Sequence, residues 1–238
     1  MMTMEMRSQK RPNAGGYSRG VEARAKILTV AIEVFGELGY TAASTRTIAA
    51  RAEVNLGALQ YYFGGKEKLY RACAEHIADT VEPRLDTLVT LSEQHSTTEE
   101  QPRRERMATL EIFLAAAIDR LLVPVASNAW LLFINREQMC PGPAFDILYD
   151  RVVRRLLNAL AGVVAPLIGK PPNSEDVMMQ TVAVLGPLFI YQRIPAVALR
   201  ALNWSDFSGE RLAKVKAVLI RQSIQGLYAR DEHGLDQQ

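Results

Sequence analysis

The sequence predicts an all-α fold, and three observations carry that expectation. Apolar residues recur at the helical spacing of roughly 3.6 residues, as in Ile27, Ala31, Val34, Phe35 and Leu38. No segment alternates apolar and polar residues with the period of two that a half-buried strand needs. Segment borders carry caps and breakers: Ser44, Asn55, Gly64-Gly65, Pro124, Pro141-Gly142-Pro143 and Pro171-Pro172. Together they mark about nine helices: an N-terminal three-helix unit containing a helix-turn-helix, followed by a C-terminal helical bundle.

The first helix spans 21–38 and stops at Gly39. Ser44 caps a short second helix over 45–52, whose Ile48, Ala49 and Ala52 form a narrow face that lets another helix pack close. After a turn at Glu53 and Val54, Asn55 caps a third helix of two turns, LGALQYYF, ended by Gly64 and Gly65. The bundle helices fall at about 66–91, 103–123, 125–139, 144–168, 174–192 and 207–229, with a short turn of helix near 195–203. The expected organisation is a mobile basic arm over 1–19, a helix-turn-helix domain over 20–66 and a ligand-binding and dimerisation domain over 67–230.

The chain has 238 residues, 48% of them hydrophobic, enough to bury a core. Its net charge of +2 hides a split. Residues 1–70 hold 10 basic and 6 acidic side chains, net +4, and residues 71–238 hold 18 and 20, net −2. A basic head on a mildly acidic body points to a polyanionic partner for the head. Two cysteines, Cys73 and Cys140, build no disulfide framework, and no secretory leader or apolar run of about 18 residues is found; a cytoplasmic protein without a membrane partner is expected.

A long support helix, a short helix, a tight turn and a two-turn helix form a unit whose third helix enters the major groove of double-stranded DNA. Leu59 and Phe63, four apart, face the support helix and leave Leu56, Gly57, Ala58, Gln60, Tyr61 and Tyr62 outward. Gln suits adenine N6 and N7, Leu and Ala suit a thymine methyl, and tyrosine hydroxyls suit phosphates or base edges. Gly57 predicts a close approach at the start of this helix, of the DNA backbone.

The stretch ILTVAIEVFGELGYTAASTRTIAARAEVNLGALQYYFGGKEKLY resembles, without a gap, the DNA-binding domain of the TetR family of bacterial transcriptional regulators. The matching features are Phe35-Gly36-Glu37-Leu38-Gly39-Tyr40, the Ile48-Ala49 pair, the Leu59 and Phe63 anchors and Lys66-Glu67. The resemblance implies phosphate contacts from Ser44, Arg46 and Lys66, and base or phosphate contacts from the remaining outward positions, Asn55 among them. Two positions depart from the family pattern: Glu53 stands where a turn glycine is usual, and Gln60 where a tyrosine is usual. The segments VNLGALQYYFGGKEKLY and GPLFIYQRIPAVALRALNW are similar to a CecR-like subgroup of the family.

The resemblance further implies a homodimer joined through the last two long helices, with Val177, Val184, Leu188, Leu212, Val215, Leu219 and Ile220 at the interface. A pocket for an unknown small apolar effector is expected in the body. There Phe113, Trp130, Phe133, Ile134, Phe145, Tyr149 and Phe189 concentrate aromatic and apolar surface, with Glu137, Arg120, Arg136 and Gln192 as polar fixers. The helix starting at Lys66 is expected to be the only element shared by head and body.

An enzyme is not expected, nor any cofactor or metal. His76, His95 and His233 are dispersed, and no nucleophile has a base near it in sequence. Gly65-Lys66 lacks the remainder of a phosphate loop, and Cys73 with His76 gives two metal ligands without a third. The functional expectation is a ligand-responsive regulator, a repressor that binds a palindromic operator as a homodimer and is released by its effector. The alternative is a helical ligand-binding or scaffolding protein without sequence-specific DNA binding.

Overall fold

A computed structural model describes residues 14–94, 100–121, 128–193 and 195–234. The elements in order are α1 (Ala14–Ala42), α2 (Thr45–Arg51), α3 (Leu56–Phe63), α4 (Lys66–Gln94), α5 (Arg103–Leu121), α6 (Asn128–Met139), α7 (Phe145–Leu148), a π-helical turn (Tyr149–Val153), α8 (Arg154–Ile168), α9 (Glu175–Arg193), α10 (Pro195–Leu202) and α11 (Gly209–Gly234). No strand occurs among the described residues, and no helix among them is long and apolar enough to cross a membrane. The fold class is all-α, as the periodicity predicts.

The short helices are set by local chemistry. The Ser44 hydroxyl accepts from the Thr47 N–H at 3.0 Å, and the Asn55 side-chain oxygen accepts from the Ala58 N–H at 2.7 Å. Gly64 closes α3 in the left-handed region (φ 71°), its N–H donating to the Gln60 carbonyl. α1 runs longer than expected at its start: its first helical residue is Ala14, so the last six residues assigned to the arm are helical. The rest of that arm lies outside the described residues. Gly39 (φ 79°) interrupts α1 where the stop is expected, and three more residues follow it before Ala43.

Two cores form. The first joins Ile27, Ala31 and Phe35 of α1, Ile48 and Ala49 of α2, Leu59 and Phe63 of α3 and Leu69, Tyr70 and Cys73 of α4. It also takes in Phe133 of α6, Ala144 just before α7, and Leu148 of α7. The second is built from the far half of α4, α5, α8, α9 and α11 around Leu88, Phe113, Leu160, Val177 and Leu219. The expectation that α4 alone belongs to both parts is therefore corrected: α6 packs along α1 so tightly that a Cβ on Gly36 would stand 2.7 Å from the Ala129 carbonyl oxygen. Sequence periodicity gives each helix its buried face but not which neighbour that face meets.

Candidate nucleic-acid interface

α3 turns one side to the head core and leaves the other exposed. Leu59 and Phe63 are buried beneath it, and Tyr61 is 83% exposed, with Leu56, Gly57 and Gln60 also on the outer side. Ala58 and Tyr62 are half-buried. Tyr62 leans back on α1, where a Cβ on Gly20 would lie 3.4 Å from its hydroxyl, and its ring stands 5.2 Å from that of Tyr61 at a steep angle. Gly57 has a structural neighbour as well: a Cβ there would come within 3.3 Å of the Asn55 side-chain oxygen, crowding the cap that starts the helix.

The residues implied in phosphate binding flank this helix. Ser44 and Arg46 are exposed at the start of α2, although the Ser44 hydroxyl is already engaged as the cap and shares a 2.8 Å hydrogen bond with the Thr47 hydroxyl. Lys66 begins α4 just past the two glycines. Its ammonium lies 4.8 Å over the Tyr40 ring and donates to the Thr41 carbonyl at 3.2 Å, which fixes the charge while leaving it two further protons to donate. Arg24, passed over in the sequence, sits 5.2 Å over the Phe63 ring at the end of α3. Its spacing to Phe63 is invisible in a linear reading because α1 and α3 meet only in the fold.

Other head charges are spent within the protein. Lys26 pairs with Glu53 at 2.6 Å, and Arg51 with Glu37 at 2.7 Å. Glu53 sits in the left-handed region at φ 54°, the conformation its place in the turn calls for, and the bond from Lys26 holds its carboxyl below the usual carboxylate range. The recognition helix itself carries no charge, so it meets DNA through amide, hydroxyl and apolar groups, with attraction supplied from its flanks.

The body residues singled out for a ligand divide among three places. Phe113 is fully buried in the body core, and Phe189 packs at its edge. Phe133 is buried in the head core, with Trp130 and Ile134 against it. Phe145 and Tyr149 stack on each other, ring centroids 5.8 Å apart, near the surface of α7 and the π turn. Glu137 is 2% exposed, accepting from the Tyr70 hydroxyl at 2.6 Å and from the Gly142 N–H at 3.2 Å. Burial and this bond both raise the Tyr70 phenol above its ordinary value, so it stays a donor. Arg136 donates to the carbonyls of Gly36 at 2.7 Å and Glu37 at 2.6 Å, and Arg120 to that of Ala116 at 3.1 Å. A crevice between α5, α9 and α11, lined by Leu114, Ile118, Leu185 and Leu219 among others, has room of about 10 Å³, roughly one water.

Of the seven residues assigned to a dimer face, Val177, Val184, Leu188, Val215 and Leu219 are buried within the single chain, and Leu212 and Ile220 are half-buried. The outward side of α9 instead carries Met179, 56% exposed, and Val182, 51% exposed. All seven lie on α9 and α11, and the buried ones belong to the core of their own chain.

Residues 27–73 match the domain described as bacterial regulatory proteins, tetR family, and residues 108–227 match the C-terminal domain of the HTH-type transcriptional dual regulator CecR. The chain is 30% identical over 208 residues to the HTH-type transcriptional dual regulator CecR of Shigella flexneri, covering 87% of this chain and 89% of that one. It is 36% identical over 116 residues, 47% of this chain and 49% of the relative, to the HTH-type transcriptional activator FasR of Mycolicibacterium smegmatis. A crystal structure of a transcriptional regulator from Rhodococcus sp. Rha1 superposes with a TM-score of 0.55 at 19% identity, covering 85% of this chain and 96% of that one, a likeness of fold. A helix-turn-helix capped at both ends, docked on a helical body that matches a regulator's own C-terminal domain, makes this chain a member of the TetR family of bacterial transcriptional regulators, in its CecR-like subgroup.

Proposed function

We propose that the protein is a homodimeric repressor whose α3 reads a palindromic operator and whose body responds to a small apolar effector. The observation that carries the reading is the α3 helix: two turns, capped at both ends, anchored by Leu59 and Phe63 and projecting Gln60 and the exposed Tyr61. Gln60 and Tyr61 read bases, while Arg46 and Lys66 hold phosphates. A single head gives too small an interface for useful affinity, so two heads act together on half-sites in successive major grooves. Dimerisation joins the outer sides of α9 and α11, with Met179 and Val182 central.

The crevice between α5, α9 and α11 has room for about one water, so an effector entering there must part those helices. It stabilises the conformation in which the heads are mis-spaced for the operator, and its effect is bounded by its differential affinity for the two conformations. Fluorescence anisotropy on the protein's own promoter fragment, run over a salt series, tests the reading. Operator affinity is expected to exceed affinity for random DNA and to fall steeply with salt. Gln60→Ala and Tyr61→Ala should each cost about 1–3 kcal/mol on the operator and less on random DNA, whereas Lys66→Ala should weaken both alike. Absence of any operator preference in the wild type sinks the repressor reading and favours a ligand-binding or scaffolding bundle.

A further inference from the structure

We propose that Glu137 is a positioning residue for DNA recognition: its buried carboxylate, shared between the Tyr70 hydroxyl and the Gly142 backbone N–H, fixes the direction in which the head leaves the body. The inference rests on the operator-binding reading above. Three segments from separate parts of the chain meet at this carboxylate: α4 through Tyr70, α6 through Glu137 itself, and the loop before α7 through Gly142. The fit is close, since a Cβ on Gly142 would stand 2.7 Å from the Glu137 Oε1. The next residue back, Arg136, points to α1 and binds the Gly36 and Glu37 carbonyls. Neighbouring helical positions project about 100° apart, so these two side chains pin α6 to α1 and α4 from different sides.

A carboxylate is a costly way to fill a core, and an apolar side chain of the same size would hold it together as well. What the carboxylate adds is direction, because hydrogen bonds fix distance and angle while apolar contact is non-directional. That direction is relayed toward DNA through rings. The Tyr70 ring lies 4.7 Å from Phe35 and 4.8 Å from Tyr40, and the Tyr40 ring carries the Lys66 ammonium on its face. The lysine charge and the α6 carboxylate are thus ends of one packed row.

Operator binding needs both heads seated at once, whereas random DNA can be held by heads that swing independently. Loosening Glu137 should therefore lower operator affinity selectively. The test uses the full-length protein and the variants Tyr70→Phe, Glu137→Gln, Gly142→Ala and the double Tyr70→Phe/Glu137→Gln. Affinities for the promoter fragment and for a random duplex of equal length are read by anisotropy, and Tm by circular dichroism. The carboxamide of Glu137→Gln accepts from only one of the two donors, while Gly142→Ala displaces the carboxylate without changing its chemistry.

Each single variant is expected to lower the ratio of operator to random-DNA affinity about tenfold, with random-DNA affinity and its salt slope unchanged. The double variant should lose little more than either single, because both loosen the same three-way junction. A purely structural role would lower both affinities together, in step with Tm, and that outcome, like an unchanged ratio, overturns the inference. If one variant does not fold, Tyr70→Phe, which removes a single hydroxyl, decides the matter alone. A wild type without operator preference would instead locate the failure in the repressor reading, and the inference falls with it.

Discussion

Glu53 is a residue placed against its own backbone preference. A left-handed φ of 54° disfavours any side chain with a Cβ by about 1 kcal/mol or more, and the turn between α2 and α3 requires it. The 2.6 Å pair with Lys26 offsets little of that, because both side chains are exposed and solvent screens their attraction. Glu53→Gly should accordingly raise stability by about 0.5–1 kcal/mol in urea denaturation, and the gain should widen in high salt as the lost pair becomes screened. A loss of stability would mean that the pair outweighs the strain. The departure at this position was legible in the sequence as a Glu where the resembling family usually has a turn glycine; the left-handed backbone itself is seen only in the structure. So is the partner: Lys26 lies 27 residues away and meets Glu53 only once α1 has packed.

At the scale of elements, α4 is tied to the π turn and α8 by a row of ion pairs. Arg151 bonds Glu82 at 2.9 Å and Asp79 at 2.7 Å, and Arg155 reaches Asp86 at 2.5 Å. The bond from Arg151 holds the Glu82 carboxyl below its ordinary value of 4.5. A depressed carboxylate contributes stability that is present above the unfolded value and lost as pH falls through the folded one. Arg151→Met should thus lower Tm near neutral pH, and the difference from wild type should shrink toward zero as pH drops below 4.5. A difference that stays constant with pH would mean that Arg151 acts through packing of its stem rather than through charge. The elements themselves were readable wherever caps and breakers lay beside the residues they govern, as with α2 and α3. The docking of α6 on α1 was not, since its polar clamp joins Arg136 to a carbonyl 100 residues earlier.

For the whole molecule, the proposed assembly depends on the outer side of α9. The residues expected at a dimer face were chosen as the most apolar positions of α9 and α11, and most of those are taken by the chain's own core. Burial within one chain and burial between two draw on the same residue types, so hydrophobicity alone does not separate them. Val182→Glu places a carboxylate at a position that is 51% exposed and, under the proposed two-fold, close to its own copy. The variant should shift from dimer to monomer in light scattering at micromolar concentration and lose operator affinity at least about tenfold, since like charges brought together cost several kcal/mol. A variant that remains dimeric would place the interface elsewhere.

The first core has a consequence for how such regulators can be rebuilt. Because Phe133, Ala144 and Leu148 complete the head from beyond α5, the helix-turn-helix unit is not a detachable cartridge. A chimera that exchanged residues up to Lys66 alone would set a foreign α1 against an α6 shaped for another, with Gly36 and Arg136 no longer matched. Grafting a new DNA specificity onto this body calls either for transplanting α6 along with the head, or for changing only the outward positions of α3 and leaving the seam intact.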